Sequence, residues 1–344
     1  MHPFDSLILA AGKGVRMKSN LPKVLHPVLG KPMVQYVIET VRRVGSAHSH
    51  VIIGFGKDQM RQALSTQGVG FIEQNEQLGT GHAVQCFARE HPTPPEHLLV
   101  VCGDTPLLSE ETLRTMIEQH FSLRPAATMM TLDMQEPGGY GRILRNQQGN
   151  VQEIREAKDC SEVEKRIREV NLAIYLFEGK ALYDRLFSLK NENRQKEYYL
   201  TDVIGMMTRD GLPVIAVKER DEASTLGINS RLDLNRVAGI LRQRIIEKHL
   251  SEGVSILDPA TTWIEPDVTI GSETVIYPNT ILTGKTVIDS GCRIGPQVRV
   301  TGAHLNTGVT AEFAVIEHVT VAPHTRVKPF SHLGTEQAHS EARE

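Results

Sequence analysis

The chain has 344 residues, a formal net charge of -3, 40% hydrophobic and 23% charged residues; this composition suits a globular protein with a sizeable core, and the length favours two domains over one. The slight negative charge argues against a protein that coats nucleic acid, which would carry a strong basic excess. The four cysteines (Cys86, Cys102, Cys160, Cys292) form no C-x-x-C pair and read as reduced thiols of a cytoplasmic protein. The 14 histidines lack the i, i+4 spacing of a helical metal site. The start "MHPFDSLILAAG" has no basic segment of a signal peptide, and no run approaches the ~18 apolar residues of a membrane span.

In chain order, "SLILAA" (6–11) reads as a strand stopped by a glycine turn, and "PMVQYVIETVRRVG" (32–45) as an amphipathic helix. "HVIIGF" (50–55) and "HLLVVCG" (97–103) are further strands, "SEETLRTMIEQHF" (109–121) is a helix with Ser109 as N-cap, and "LPVIAV" (212–217) is a strand. Such alternation predicts βαβ units around a mostly parallel sheet, with ligands bound beyond the carboxyl ends of its strands. Apolar residues at a helical period over 230–250 predict a connecting helix, with Gly253 as its stop. Then Ile264, Ile270, Ile276, Leu282, Ile288, Ile294 and Val300 recur every six residues. Small residues from Val268 to Val298 keep the same period four places on. Sustained hexads of this kind predict a β-helix, here of three or four coils. The register is expected to slip by three after Val300 and to resume at Val309, Val315, Val321 and Val327. The expected organisation is an α/β domain over 1–229, a helix over 230–252, a short β-helix over 253–333 and a polar, disordered tail over 334–344.

The glycine turn "AAGKGVRM" is neither of the common phosphate loops: Met17 stands where a dinucleotide fingerprint needs its third glycine, and the Walker pattern is absent. Alone it reads equally as a surface turn or as a loop whose amides face an anion. Lys13, Arg16 and Lys23 follow closely, and arginine grips phosphate with a rigid fork where lysine acts as a mobile charge. "LLVVCGDTPLL" ends a strand at Gly103-Asp104 and so puts one carboxylate at a crevice lip. That suits a turn or a magnesium site, since Mg²⁺ takes one or two protein carboxylates and leaves the rest to water and phosphate; the nearby glycine loop favours the metal. Gln74 in "EQNEQLGTGHAV" could pair a base edge through its amide or simply be exposed, and His82 reads as a structural helix-start residue. Glu156 and Lys158 alone would be solvated charges on most proteins.

Taken in order, "LAAGKGVRM" with "LPK", "EQNEQLGTGHA", "CGDTP", "GGYGR", "EAKD", "NLA", "KEYYLTD" and "GINS" resemble the sugar-nucleotide pyrophosphorylases. They come closest to the N-acetylglucosamine-1-phosphate uridylyltransferase domain of the bifunctional family that also acetylates glucosamine 1-phosphate. Val15, Leu172 and Ala173 depart from that family's pattern of a small hydroxyl residue after the second glycine and N-[ST]-G later. The resemblance implies a Rossmann-like nucleotidyltransferase domain followed by a truncated left-handed parallel β-helix. It implies that Leu9, Ala10, Ala11 and Gly12 hold the uridine side, and that Gln74, Gly79 and Thr80 read the uracil. Arg16 and Lys23 would act on the triphosphate, while Gly103 would contact substrate. Asp104 and Asn229 would hold Mg²⁺, with Asn229 doubling as a helix N-cap. Gly141, Glu156 and Asn171 would surround the hexose, and Tyr199 would close over it.

The implied reaction joins UTP to N-acetylglucosamine 1-phosphate and releases pyrophosphate. Its nucleophile is a phosphate whose second pKa is about 6, so no general base is needed, in keeping with the lack of a Ser-His-Asp constellation. Neighbouring readings are another sugar 1-phosphate or dTTP as substrate. From other classes come a hexapeptide acyltransferase, for which the family needs further coils and a catalytic region whose start "APHTRVKPFSHLG" resembles, and a non-catalytic regulatory homologue. No nucleic acid or membrane partner is expected. Related β-helices pack about a threefold axis, so a homo-oligomer, specifically a homotrimer, is expected.

Overall fold

The computed structural model describes residues 3–334. Two compact units emerge: the chain up to His26 with Pro32–Leu234, and Pro27–Lys31 with the chain from Asn235 onward. The tail expected over 334–344 lies, Gly334 apart, outside the described residues. Among the described residues no helix is long and apolar enough to cross a membrane.

The first unit is built on a nine-stranded sheet whose main path runs Val214–Lys218, Ala127–Asp133, Glu169–Glu178, His97–Cys102, Asp5–Leu9, Ser49–Ile53, Gly70–Glu73. All neighbours on this path are parallel except Glu169–Glu178, which runs antiparallel to both strands it separates. A hairpin of Arg142–Arg145 and Val151–Arg155 hangs from that strand. The four strands read from the sequence are all present; Gly70–Glu73, Ala127–Asp133 and the antiparallel Glu169–Glu178 were not anticipated. Leu7, Ile8, Val51, Ile52 and Val100 are fully buried, as expected of parallel strands covered on both faces. Helix Met33–Arg43 buries Met33, Val34, Val37, Ile38 and Val41 on one side, and Ser109 caps Glu110–Leu123 by accepting from the Thr112 amide.

Asp5–Leu9 has its sequence successor on one side and His97–Cys102 on the other, in register from Asp5↔Leu98 to Leu9↔Cys102. The strand order therefore switches direction between these two strands, and a crevice opens beyond their carboxyl ends. The glycine loop leaves one end and Gly103-Asp104 the other.

The second unit stacks fourteen short parallel strands into sheets of five, five and four. The stack runs from Ser255–Ile256 to His332–Leu333, within the expected 253–333, and its rows of five, five and four strands exceed the three or four coils expected. Ile264, Ile276, Leu282, Ile294 and Val300 point inward and are wholly buried. The expected slip after Val300 is corrected by the strand pairing. Ile288 pairs with Leu305, Ile294 with Ala311 and Val300 with Ile316, so the inward row continues through Leu305, Ala311, Ile316 and Val321. Three sides are thus one residue short. Val309 is buried in the small-residue row instead, and Val315, beside Arg299, sits on the outer row.

Candidate active site

Leu9, Ala10, Ala11 and Gly12 line a cleft at the switch point, together with Gln74, Gly79 and Thr80 from the connection into helix Thr80–Glu90, and with Lys23 and Asp104. The loop that follows Gly12 is shaped by its second glycine. Gly14 adopts φ +60, and a Cβ there would stand 2.5 Å from the Cβ of Lys23, so its absence lets the lysine stem cross the loop. Met17, in the place of a third fingerprint glycine, is buried and anchors the short turn Val15–Met17. On the other side Gly79 adopts φ +107, with the Tyr198 carbonyl 2.6 Å from its absent Cβ. This close approach lets residues 78–81 zip onto the chain at Tyr198. The Tyr198 amide donates to the Leu78 carbonyl, the Gly81 amide to the Tyr198 carbonyl, and the Leu200 amide to the Thr80 hydroxyl.

Lys23 binds two oxygens that lie far away in sequence. Its Nζ donates to Asp104 Oδ2 and, at 3.2 Å, to Asn229 Oδ1. The Ile228 amide, which donates to the Asp104 carbonyl at 2.9 Å, holds the two segments together. The dual role expected for Asn229 is corrected here. Ser230 caps helix Arg231–Ser251 by accepting from the Asp233 amide. Asp233 reaches back to the Asn229 and Ser230 amides, a reciprocal box that leaves the Asn229 side chain turned to Asp104 and Lys23. Burial pushes the Asp233 carboxyl up, but these hydrogen bonds and the Arg16 charge outweigh it and hold it below its ordinary value. Arg16 itself is exposed and does not line the cleft floor. Gly103 donates its amide to the Leu9 carbonyl at 3.0 Å and packs tightly on Ile8 and Val34, whose methyl carbons would lie 3.3 Å from a Cβ there.

The residues expected around a hexose gather beside this cleft. The Asn171 amide donates to the Gly141 carbonyl, Gly141 packs against Glu156 Oε2, and the Thr201 hydroxyl donates to Glu156 Oε1 at 3.0 Å. Burial raises the Glu156 carboxyl, the Thr201 bond opposes this, and the charges of Asp202, Asp159 and Glu197 add to it. Asn171 bridges a bulge: its Nδ2 donates to the Tyr175 hydroxyl and its Oδ1 accepts from the Ala173 amide. Ala173 adopts φ +55, the left-handed conformation natural to the glycine it replaces, and Leu172 is buried. The departure from N-[ST]-G therefore leaves the backbone turn in place. Tyr199 is buried, not poised as a flap: its hydroxyl accepts from Gln195 and donates to Asp159.

Residues 6–196 match the family model "MobA-like NTP transferase domain" and residues 267–302 match "Bacterial transferase hexapeptide (six repeats)". The "Bifunctional protein GlmU" of Geobacillus sp. (strain WCH70) is 42% identical over 328 residues, covering 95% of this chain and 71% of that protein. Its namesake in Clostridium acetobutylicum is 43% identical over 335 residues, covering 96% and 73%. The chain belongs to the GlmU family. Its first unit is the nucleotidyltransferase fold of that family and its second the left-handed β-helix of hexapeptide transferases. A solved UDP-glucose pyrophosphorylase shares the fold at a TM-score of 0.56 and 16% identity, over 70% of this chain and 98% of that one.

This GlmU-family cleft also holds residues that the sequence did not single out: Gln77, Cys102 and Glu197. Glu197 lies inside the "KEYYLTD" motif that zips onto residues 78–81, so the motif was visible and its cleft-facing residue was not. Cys102 ends a strand; burial, then the Asp104 charge, pushes its thiol up to about 12, which favours the neutral thiol. Among the described residues no three His, Cys, Asp or Glu side chains group as a metal cage. The Asp104–Asn229 pair nonetheless fits a hard cation: two oxygens converge on one point, where a lysine ammonium already sits.

Proposed function

We propose that the chain transfers UMP from UTP to N-acetylglucosamine 1-phosphate, forming UDP-N-acetylglucosamine and pyrophosphate. The observation that carries this reading is the junction of Lys23, Asp104 and Asn229 at a cleft bounded by the Gly12 and Gly79 loops. Membership of the GlmU family supports the sugar-1-phosphate nucleotidyltransferase class. A sugar phosphate oxygen, already dianionic near neutral pH, attacks the α-phosphorus; the bond to the β-phosphate oxygen breaks and pyrophosphate leaves. The difficulty is bringing two polyanions together, and fixed cations aimed at the phosphates meet it. Lys23 supplies one such charge in the cleft, and Arg16, which the resemblance assigns to the triphosphate, would supply a second. Asp104 and Asn229 would hold Mg²⁺, an oxygen-preferring ion that keeps places for water and phosphate and, when bound, neutralises phosphate charge. Gly141, Glu156 and Asn171 would frame the sugar, with the Glu156 carboxylate accepting from hydroxyls or the acetamido N–H.

Pyrophosphate release, measured over a grid of nucleoside triphosphates and sugar 1-phosphates with and without Mg²⁺, tests the reading. Turnover confined to UTP and N-acetylglucosamine 1-phosphate supports it; turnover with neither rejects it. The hexapeptide β-helix favours a homotrimer in the cytoplasm, and a monomeric mass by light scattering would reject that assembly.

A further inference from the structure

Gln74 is only 4% exposed yet lines the cleft. Its Nε2 donates to the Gly79 carbonyl at 3.0 Å and lies 3.2 Å from His82 Nδ1. A carbonyl can only accept, so the NH₂ end of the amide must face Gly79. The second N–H of that group then points at Nδ1, which must present a lone pair. Neutral His82 therefore carries its proton on Nε2, which faces Cys86 Sγ at 3.8 Å. With both amide protons engaged, Gln74 has Oε1 left for the cleft, and no described residue donates to it. An acceptor in that place pairs with the imide N3–H of uracil or thymine, whereas cytosine N3 would set one lone pair against another.

We propose that His82 is a positioning residue for base selection: the lone pair on its Nδ1 locks the Gln74 amide with the oxygen toward the nucleobase. The proposal rests on reading the cleft as a uridylyl site. An N–H on Nδ1 leaves the amide no satisfactory orientation. Unflipped, it sets N–H against N–H at His82; flipped, it sets oxygen against oxygen at Gly79. The lock is closed while His82 is neutral. Burial, then the Arg89 charge on its own helix, holds its pKa below the ordinary 6.5, while the Glu76 carbonyl and carboxylate from the preceding loop oppose this. Tyr198 packs at 6.4 Å between ring centroids. Glu73, Asn75, Cys86 and Glu90 complete the surroundings of the imidazole's outer side. Selection of UTP is therefore full near pH 8 and fails as pH falls through that lowered value.

The test compares KM for UTP with the inhibition constant of CTP, which needs no turnover of CTP, on the full chain from pH 5.5 to 8.5. The triphosphate's own titration is common to both ligands and cancels in their ratio. One hydrogen bond's worth of discrimination predicts that the wild-type ratio falls about three- to tenfold on acidification. His82→Leu, in which the Gly79 carbonyl still holds the amide but nothing titrates beside it, is expected to show a ratio independent of pH, with KM for the sugar phosphate unchanged. Cys86→Ala, which leaves Nδ1 in place, should behave as wild type. A wild-type ratio that stays flat while the His82 imidazole is seen to titrate, followed by its ring-proton NMR signals, overturns the proposal even if the leucine variant fails to fold. A folded His82→Leu protein whose ratio still falls on acidification overturns it too. Absence of turnover with UTP refutes the functional reading instead.

Discussion

Replacing Lys23 by Met separates the two jobs that its ammonium performs. Methionine keeps most of the apolar stem that crosses Gly14 and removes the charge that Asp104 and Asn229 share. The side chains of Lys23 and Asp104 are 15% and 19% exposed, so water reaches the abandoned carboxylate only in part. At an effective dielectric of about 20, opposite charges some 4 Å apart attract by roughly 4 kcal/mol. Partial rehydration of Asp104 returns part of this, leaving an expected stability loss of about 1.5–3 kcal/mol, typical of a hydrogen bond to a charged group. At roughly 2–4 °C per kcal/mol, the unfolding midpoint should fall by several degrees. Turnover should fall by about 10²–10⁵-fold, the range for cations that stabilise a transferring phosphoryl group. The discriminating variant is the double substitution Lys23→Met with Asp104→Asn. Having no unpaired charge, it should recover most of the stability while remaining as inactive as Lys23→Met. Pyrophosphate release and denaturant unfolding measured on the parent, Lys23→Met, Asp104→Asn and the double variant close the cycle. A folded Lys23→Met protein within about threefold of parental turnover, or a double variant that regains activity with its stability, would refute this account of the cleft.

Arg16→Ala should cost on the order of 10²–10⁵-fold in turnover; because Arg16 is exposed, stability should change by less than about 0.5 kcal/mol, and calorimetry beside kinetics checks both. Ala173→Gly should stabilise by about 0.5–1 kcal/mol, since relief of the strained φ of +55 exceeds the extra freedom glycine brings to the unfolded chain; an unchanged or lower unfolding midpoint would count against it. Arg145→Ala tests acid stability. Burial pushes Glu169 up, but hydrogen bonds from Arg145 and Thr131 outweigh it and leave its pKa below the ordinary 4.5. A lowered folded-state carboxyl contributes stability above its unfolded pKa and loses it as pH falls through the folded value. The variant should therefore be less stable by about 1–2 kcal/mol at pH 7, with the gap closing below about pH 4.5; a gap that persists at pH 3 would contradict the assignment.

Sequence spacing by itself determined which kinds of element form and which side chains face inward. Short apolar runs punctuated by glycine became the parallel strands. The six-residue recurrence from Ile264 to Val300 became one buried row of a β-helix, because each strand turns one residue inward at a constant interval. The motif order carried the family and the chemistry of the cleft. Spacing misled after Val300, where sides one residue short move the inward row from Val315 to Ile316: a local period cannot report a turn that shortens by one. The antiparallel strand Glu169–Glu178 was not legible either, since the bulge between Asn171 and Tyr175 interrupts its alternation. Only the tertiary structure decided what meets at the site. Lys23 joins partners 81 and 206 positions away, Ser230 rather than Asn229 caps the long helix, and His82 meets the side-chain amide of Gln74 eight residues before it. Such meetings depend on where loops converge beyond the strand ends, and on which donor or acceptor each group has left after its neighbours are satisfied, and neither is recorded in the spacing of residues along one chain.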